Sequence, residues 1–375
     1  MTGVFNPEMD RRTMLQTIAI GAAAATLPPS AEAAPAATAT NTNAVGAPLP
    51  RAEGALKVAG KATYAIEHPV ENMAYGVMVQ STIAAGRVVK VHDEDARKAP
   101  GVLAIYSVAN PLPLGRSEVF SKGGAATENF LPFQDDRILW NGQHVAFVVA
   151  ETFEQATEAA TLVRIDYEEA APVLDASAAG APRLRQEKMD FAWGNAEQAM
   201  ATAAIRIEGE YSTPREYNVP IEPHACIAAW EGQELTVWEP SQWVSGARSI
   251  IADWTRVPTD KVRVISPYVG GAFGCKVSPH PHVAVTCAAA RVLGRPIKTA
   301  LTRPQTFTGY GGRPRTHQRI AIGADRSGKI QSIIHEGWNE TAAETRMSSR
   351  PTPSRRSCTP PPISGPRTAL LPSTR

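Results

Sequence analysis

The sequence predicts an α+β fold, and three observations carry that prediction. Runs rich in β-branched and aromatic residues recur along the chain, as strands require. Shorter stretches with a helical period stand between them. A linker rich in Ala and Pro, over 171–185, divides the chain into two such regions. At 375 residues, two or three domains are expected, and an apolar content of 43% suffices for a substantial core.

The first region runs from about Gly54 to Ala170. Tyr75–Val79 and Gly86–Lys90 read as strands, and Val91–Ala99 as a helix that stops before Pro100. Val102–Val108 is a further strand. Ile138–Trp140 and His144–Val149, joined through Asn141-Gly142, predict a hairpin. A helix from Glu151 to Leu162 and a strand over Val163–Tyr167 complete the region. His68, His92 and His144 carry no partner signature and read as surface or satisfied core side chains.

The second region opens with a short amphipathic helix, Asn195–Ala203, and a strand, Ile205–Tyr211. Glu234–Trp238 and Pro296–Leu301 are strands, and Arg248–Trp254 and Val283–Leu293 are helices. Gln318–Ile322 and Ile330–His335 form a hairpin around Asp325 and Gly328.

The most informative stretch is Pro267-Tyr-Val-Gly-Gly-Ala-Phe-Gly-Cys-Lys276, which follows the β-branched run Lys261–Ile265 and precedes a helical pattern. Its three glycines permit positive φ and let backbone N–H groups approach an anionic, oxygen-rich ligand. A helix start just beyond it would add free N–H groups. The loop is not a P-loop, because Cys275 and Val277 flank Lys276 where Gly and Ser/Thr are needed. Nor does its spacing match a dinucleotide fingerprint. A tight turn with packing glycines is the plain alternative.

The loop has two companions upstream: Glu222-Pro223-His224, and a strand leading to Pro240-Ser241-Gln242. In this order the three motifs resemble the molybdenum-binding subunit of the xanthine dehydrogenase/aldehyde oxidase family, and within it the periplasmic three-subunit aldehyde oxidoreductases. The usual loop is Gly-Gly-Gly-Phe-Gly-Gly-Lys; here Ala272 and Cys275 replace two glycines. The resemblance covers about Gly54 to Asn339. It implies an a/b hammerhead domain over 54–170, a linker over 171–190 and the first part of a molybdopterin-binding domain over 191–340.

The resemblance implies a molybdenum-pyranopterin, in the form of molybdopterin cytosine dinucleotide, with [2Fe-2S] clusters and FAD confined to an iron–sulfur subunit and an FAD subunit. It implies oxidation of aldehydes or heterocycles with water as oxygen source. Gln242 would place its amide near the metal's oxo ligand, or stand as a plain polar strand end. Gly270, Gly271, Ala272, Phe273 and Gly274 would contact the cofactor, with Phe273 a core anchor as the alternative. Val277 stands where purine-oxidising members carry Glu, so aldehydes are favoured. Glu222 and His224 are expected to form a buried structural pair. Lys276 would contact phosphate or cap the loop. The family's catalytic glutamate sits in a Gly-Val-Gly-Glu segment that does not occur here, and its substrate arginine segment is missing too. No catalytic base and no protein metal ligand are therefore assigned, and the chain is expected to be inactive alone. The alternatives are a non-catalytic exported fragment with a binding or assembly role, and an unrelated exported binding protein.

Asp10-Arg-Arg-Thr-Met-Leu-Gln16, the apolar run Thr17–Leu27 and Ala31-Glu-Ala33 predict a twin-arginine signal over 1–33 and a periplasmic destination, with a flexible stretch over 34–53. The apolar run is too short to span a bilayer. The formal charge of +2 includes six arginines and no acidic residue after Glu344, so the body is mildly acidic and nucleic-acid binding is not expected. The four cysteines form no Cys-x-x-Cys pair, which excludes a cluster site of that type, and Cys226 and Cys287 read as buried free thiols. From about Thr341 the chain turns to Pro, Ser, Thr and Arg. A disordered tail would read this way, but the break falls inside a domain, which favours a shifted reading frame.

Overall fold

The computed structural model describes residues 46, 48–117, 130–174, 191–340 and 356–358, so the segment expected to be an export signal and most of the arginine-rich tail lie outside the described residues. Among the described residues of the unit Met1–Lys61, one short helix stands, α1 (Gly54–Val58). Every sheet belongs to the unit Ala62–Arg375.

The first region supplies β1 (Ala74–Gln80), β2 (Gly86–His92), α2 (Glu94–Lys98), β3 (Val102–Ser107), β4 (Arg137–Ile138), β5 (His144–Ala150), α3 (Phe153–Leu162) and β6 (Arg164–Glu169). The second supplies β7 (Phe191–Trp193), α4 (Ala196–Thr202), β8 (Ile205–Thr213), β9 (Ala225–Glu231), β10 (Glu234–Trp238), α5 (Val244–Thr255) and β11 (Val262–Ile265). Then follow α6 (Pro281–Leu293), β12 (Ile297–Ala300), α7 (Gln305–Thr308), β13 (Thr316–Ala324), β14 (Ile330–Asn339) and β15 (Arg356–Cys358).

The two regions share a sheet. Its seven strands run β11-β10-β9-β12-β1-β5-β3, with a parallel seam where Ala74 faces Ile297. All residues of β5 are buried, so it reads as a continuous apolar run. Its alternation sorts the two faces. Phe147 and Val149 join Ile250, Ile251, Trp254 and Val283 from α5 and α6 in one core. Ala146 and Val148 face Ala159 of α3 and Ala96 of α2 in another. A three-stranded sheet, β4-β2-β6, and a five-stranded sheet, β7-β15-β14-β13-β8, complete the fold. Helix α4 covers the latter through Ala196 and Met200 on Ala321 and Ile334.

Two expectations are corrected. Asn141-Gly142 makes its turn, with Gly142 at φ +89°, but the flanking strands form no hairpin. β4 pairs with β2, whereas β5 pairs with β1 and β3. Side chains replace the ladder: Gln143 Oε1 accepts from Leu139 N–H at 2.8 Å and Gln143 Nε2 donates to the Arg137 carbonyl at 2.6 Å. The helix expected from Val91 begins only at Glu94, because Val91 and His92 stay in β2 against Ile165 and Arg164. α3 is as predicted, and a capping box through Thr152 and Gln155 fixes its start. The β13–β14 hairpin is also as predicted, with Asp325 Oδ1 accepting from the N–H groups of Ser327 and Lys329.

Candidate functional site

Strand β11 ends at Ile265, and the glycine-rich loop follows it. Gly271 and Gly274 adopt φ of +95° and +96°, a region that glycine enters freely. Phe273 adopts +53°, which is uncommon for a side chain of its size. Phe273 is 62% exposed, so it is not a core anchor. Helix α6 starts only at Pro281, with Pro281 and His282 buried, so its first turn does not extend the loop's row of N–H groups.

Glu222 and Lys276 brace the loop from beneath. Glu222 Oε2 accepts from Gly270 N–H at 2.7 Å and from Lys276 Nζ at 2.9 Å. Lys276 Nζ also donates to the Glu222 carbonyl at 2.9 Å, and its side chain is 1% exposed. Lys276 therefore serves the loop's structure and not a phosphate. The expected pair of Glu222 with His224 is not formed, because Lys276 takes the carboxylate and His224 turns toward the Cys275 carbonyl at 3.4 Å.

Gln242 meets the loop from the side. Its N–H donates to the Lys276 carbonyl at 2.8 Å, and its Oε1 accepts from the N–H groups of Gly274 at 3.1 Å and Lys276 at 3.3 Å. With both lone pairs engaged, the amide's remaining function is the Nε2 donor. Among the described residues, no acceptor takes Nε2 or the N–H groups of Gly271, Ala272 and Phe273. Those of Gly270 and Gly274, expected at the ligand, are spent on Glu222 and Gln242. Val277 follows at intermediate burial.

Behind the loop lies a cluster that spacing did not reveal. His144, His224, His280 and His282 gather with Tyr310. The rings of His224 and Tyr310 lie 3.9 Å apart between centroids, and those of His224 and His280 lie 4.9 Å apart. His280 Nε2 is 2.6 Å from the Cys275 carbonyl. Both ring nitrogens of His144 and His282, and Nδ1 of His224 and His280, are buried without a hydrogen-bond partner among the described residues, and the Tyr310 side chain meets that of Cys275. His144 is thus not the satisfied side chain expected of it, whereas His92 pairs with Asp166 at 2.7 Å. Burial, then the neighbouring His280, pushes His144 down to about 4; burial takes His280 to about 4, and His224 and His282 also fall. Glu239, just beyond β10, is buried with Oε2 unpartnered, and burial pushes it up to about 8 against the pull of Lys276. Cys226 and Cys287 are buried free thiols, as expected.

The loop, its braces and Gln242 come from Glu222–His224, Pro240–Gln242 and Pro267–Lys276, the three motifs that the sequence singles out. The additional members, Asn218, which donates to the Phe273 carbonyl, Glu239, His280 and His282, stand beside those motifs but outside them. No spacing rule distinguishes them from ordinary polar residues.

Comparison with known proteins agrees with this architecture. The family model "Aldehyde oxidase and xanthine dehydrogenase, a/b hammerhead domain" matches residues 59–171, and "Molybdopterin cofactor-binding domain" matches 180–358. The molybdenum-binding subunit of aldehyde oxidoreductase, PaoC, of Escherichia coli K12 is 38% identical over 79% of this chain and 40% of the relative. The carbon monoxide dehydrogenase large chain of Hydrogenophaga pseudoflava is 28% identical over 75% of this chain and 38% of its own length. The solved aldehyde oxidoreductase of Desulfovibrio gigas shares the fold with a TM-score of 0.67 at 21% identity, over 77% of this chain and 34% of that one. The chain thus spans about 40% of the length of PaoC. With a hammerhead domain followed by a molybdopterin-binding domain, the chain belongs to the molybdenum-binding subunits of the aldehyde oxidase and xanthine dehydrogenase family.

Proposed function

We propose that the intact protein oxidises aldehydes to carboxylic acids with water as oxygen source. In that reaction two electrons and two protons leave for each aldehyde. The observation that carries the reading is the row of unspent N–H groups at Gly271, Ala272 and Phe273 beside the unspent Nε2 of Gln242. A row of donors on a loop in which Gly271 and Phe273 hold positive φ suits an oxygen-rich, anionic group, so these residues fit a molybdenum-pyranopterin. When bound, that group supplies the electron-accepting centre and activates the water-derived oxygen.

This chain's residues bind and orient. The loop N–H groups hold oxygen atoms, and Gln242 offers a neutral donor that stabilises charge on oxygen without itself titrating. Glu222 and Lys276 keep the loop rigid, so the donors need no reorganisation. Val277 presents an apolar surface, which favours aldehydes over purines. No Gly-Val-Gly-Glu segment stands among these 375 residues, so no residue of this chain is assigned as the base for turnover. The same reading extends to a cytosine dinucleotide on the pterin and to electron transfer through a [2Fe-2S] subunit and an FAD subunit. Asp10–Gln16 supports export to the periplasm by the twin-arginine route, which carries folded, cofactor-loaded proteins.

The test is molybdenum content and aldehyde-dependent dye reduction in the intact protein with its co-expressed partner subunits. Gln242→Ala should retain molybdenum and lose on the order of a hundredfold in kcat, as for other preorganised donors. An intact protein that contains no molybdenum refutes the reading.

A further inference from the structure

One peptide plane in the loop is held from both ends. Its carbonyl belongs to Phe273 and its N–H to Gly274. Asn218 Nδ2 donates to that carbonyl at 2.5 Å, and Gln242 Oε1 accepts from that N–H at 3.1 Å. Arg313 Nη2 reaches the same carbonyl at 3.5 Å, near the limit for a hydrogen bond.

The backbone on both sides of this bond departs from ordinary conformations. Phe273 sits at φ +53°, and Val219, next to Asn218, sits at φ +36°. A β-branched residue at positive φ is a genuine outlier that only surrounding contacts sustain. Those contacts are present: Arg303 donates to the carbonyls of Pro220 at 2.7 Å and Ile221 at 2.8 Å. Two strained segments, 218–221 and 271–274, therefore face each other, and the Asn218 amide joins them directly.

We infer that Asn218 is a positioning residue for Gln242. Without its donor, nothing strong holds the Phe273 carbonyl in place, and Phe273 relaxes out of the left-handed region. The Gly274 N–H then swings off Gln242 Oε1, because carbonyl and N–H share one rigid plane. Gln242 keeps only the longer bond from Lys276 N–H at 3.3 Å, and its amide no longer has a fixed donor end. Asn218 thus sets, through one peptide, the polarity that Gln242 presents. The clamp itself is a property of this chain. Its consequence for turnover rests on the proposed function.

The experiment compares hydrogen exchange at the Gly274 amide, by NMR on the isotopically labelled chain, with exchange at Val237 in the buried strand β10 as internal reference. Asn218→Asp is nearly isosteric but offers no donor, Asn218→Ala removes the side chain, and Asn218→His restores an N–H donor at a similar reach. Exchange at Gly274 relative to Val237 should rise about tenfold in Asn218→Asp and Asn218→Ala, the scale of one lost hydrogen bond. The Gln242 side-chain NH2 resonances should shift in the same two variants. Both signals should return toward native in Asn218→His. Equal change in all three variants, or change in none, overturns the inference. Neither readout needs molybdenum, so failure here is distinct from failure of the proposed activity.

Discussion

Single residues at this site divide into groups that would face the proposed ligand and groups that hold those in place. Gln242 belongs to the first, and Glu222, Lys276 and Asn218 to the second. Glu239 belongs to neither and marks an unusual electrostatic situation. Its folded pKa, raised to about 8 by burial, lies above the value near 4.3 of an unfolded chain. Between those values the unfolded state has released a proton that the folded state keeps, so stability falls as pH rises from about 4 to about 8. Glu239→Gln keeps the shape and removes the ionisation. It should stabilise the protein by on the order of a few kcal/mol at pH 8 and have little effect at pH 4.5. Urea unfolding at the two pH values checks this, and equal effects at both would remove the titration argument.

Elements meet under tighter constraints than their own patterns reveal. The seam between β1 and β12 depends on Gly76. A Cβ there would fall 2.1 Å from the Phe147 ring and 2.8 Å from Thr299 Oγ1. Phe147 is fully buried in the main core and cannot step aside. Gly76→Ala should therefore cost about 1–3 kcal/mol through overpacking, although alanine suits a strand better than glycine does. Thermal unfolding would show the loss. A gain in stability would mean that Phe147 relocates freely.

The whole molecule assembles the histidine cluster from distant pieces. His144 stands at the start of β5, His224 just before β9, and His280 and His282 at the start of α6, while Tyr310 follows α7. Lys276 and Arg303 are the charged side chains whose fields reach them. Every histidine pKa in the cluster is depressed, so the unfolded chain takes up protons first. Stability is complete above an unfolded pKa near 6.5 and is lost as pH falls toward about 4. Each buried histidine contributes up to about 1.4 kcal/mol per pH unit in that window. Unfolding free energy measured at pH 7.5 and 5.5 should drop by several kcal/mol, and His282→Gln should flatten the slope. A flat profile in the native protein would contradict the buried, neutral state of these rings.

By itself the sequence determined most strands, though not β7, β9 or β15, and most helices, the two-region order and the three motifs of the site, because these depend on local periodicity, turn chemistry and residue identity. Gly270–Gly274, Gln242 and Glu222 were legible from a glycine-rich stretch and its companions. Tertiary structure alone decided that β4 and β5 enter different sheets, and that Lys276 turns inward to Glu222. It also decided that Gly270 and Gly274 spend their N–H groups within the protein, and that four histidines meet behind the loop. Each of these is a contact between residues far apart in the chain. Such contacts follow from how sheets share strands and from which buried polar group finds a partner first, and no pattern along the sequence records either.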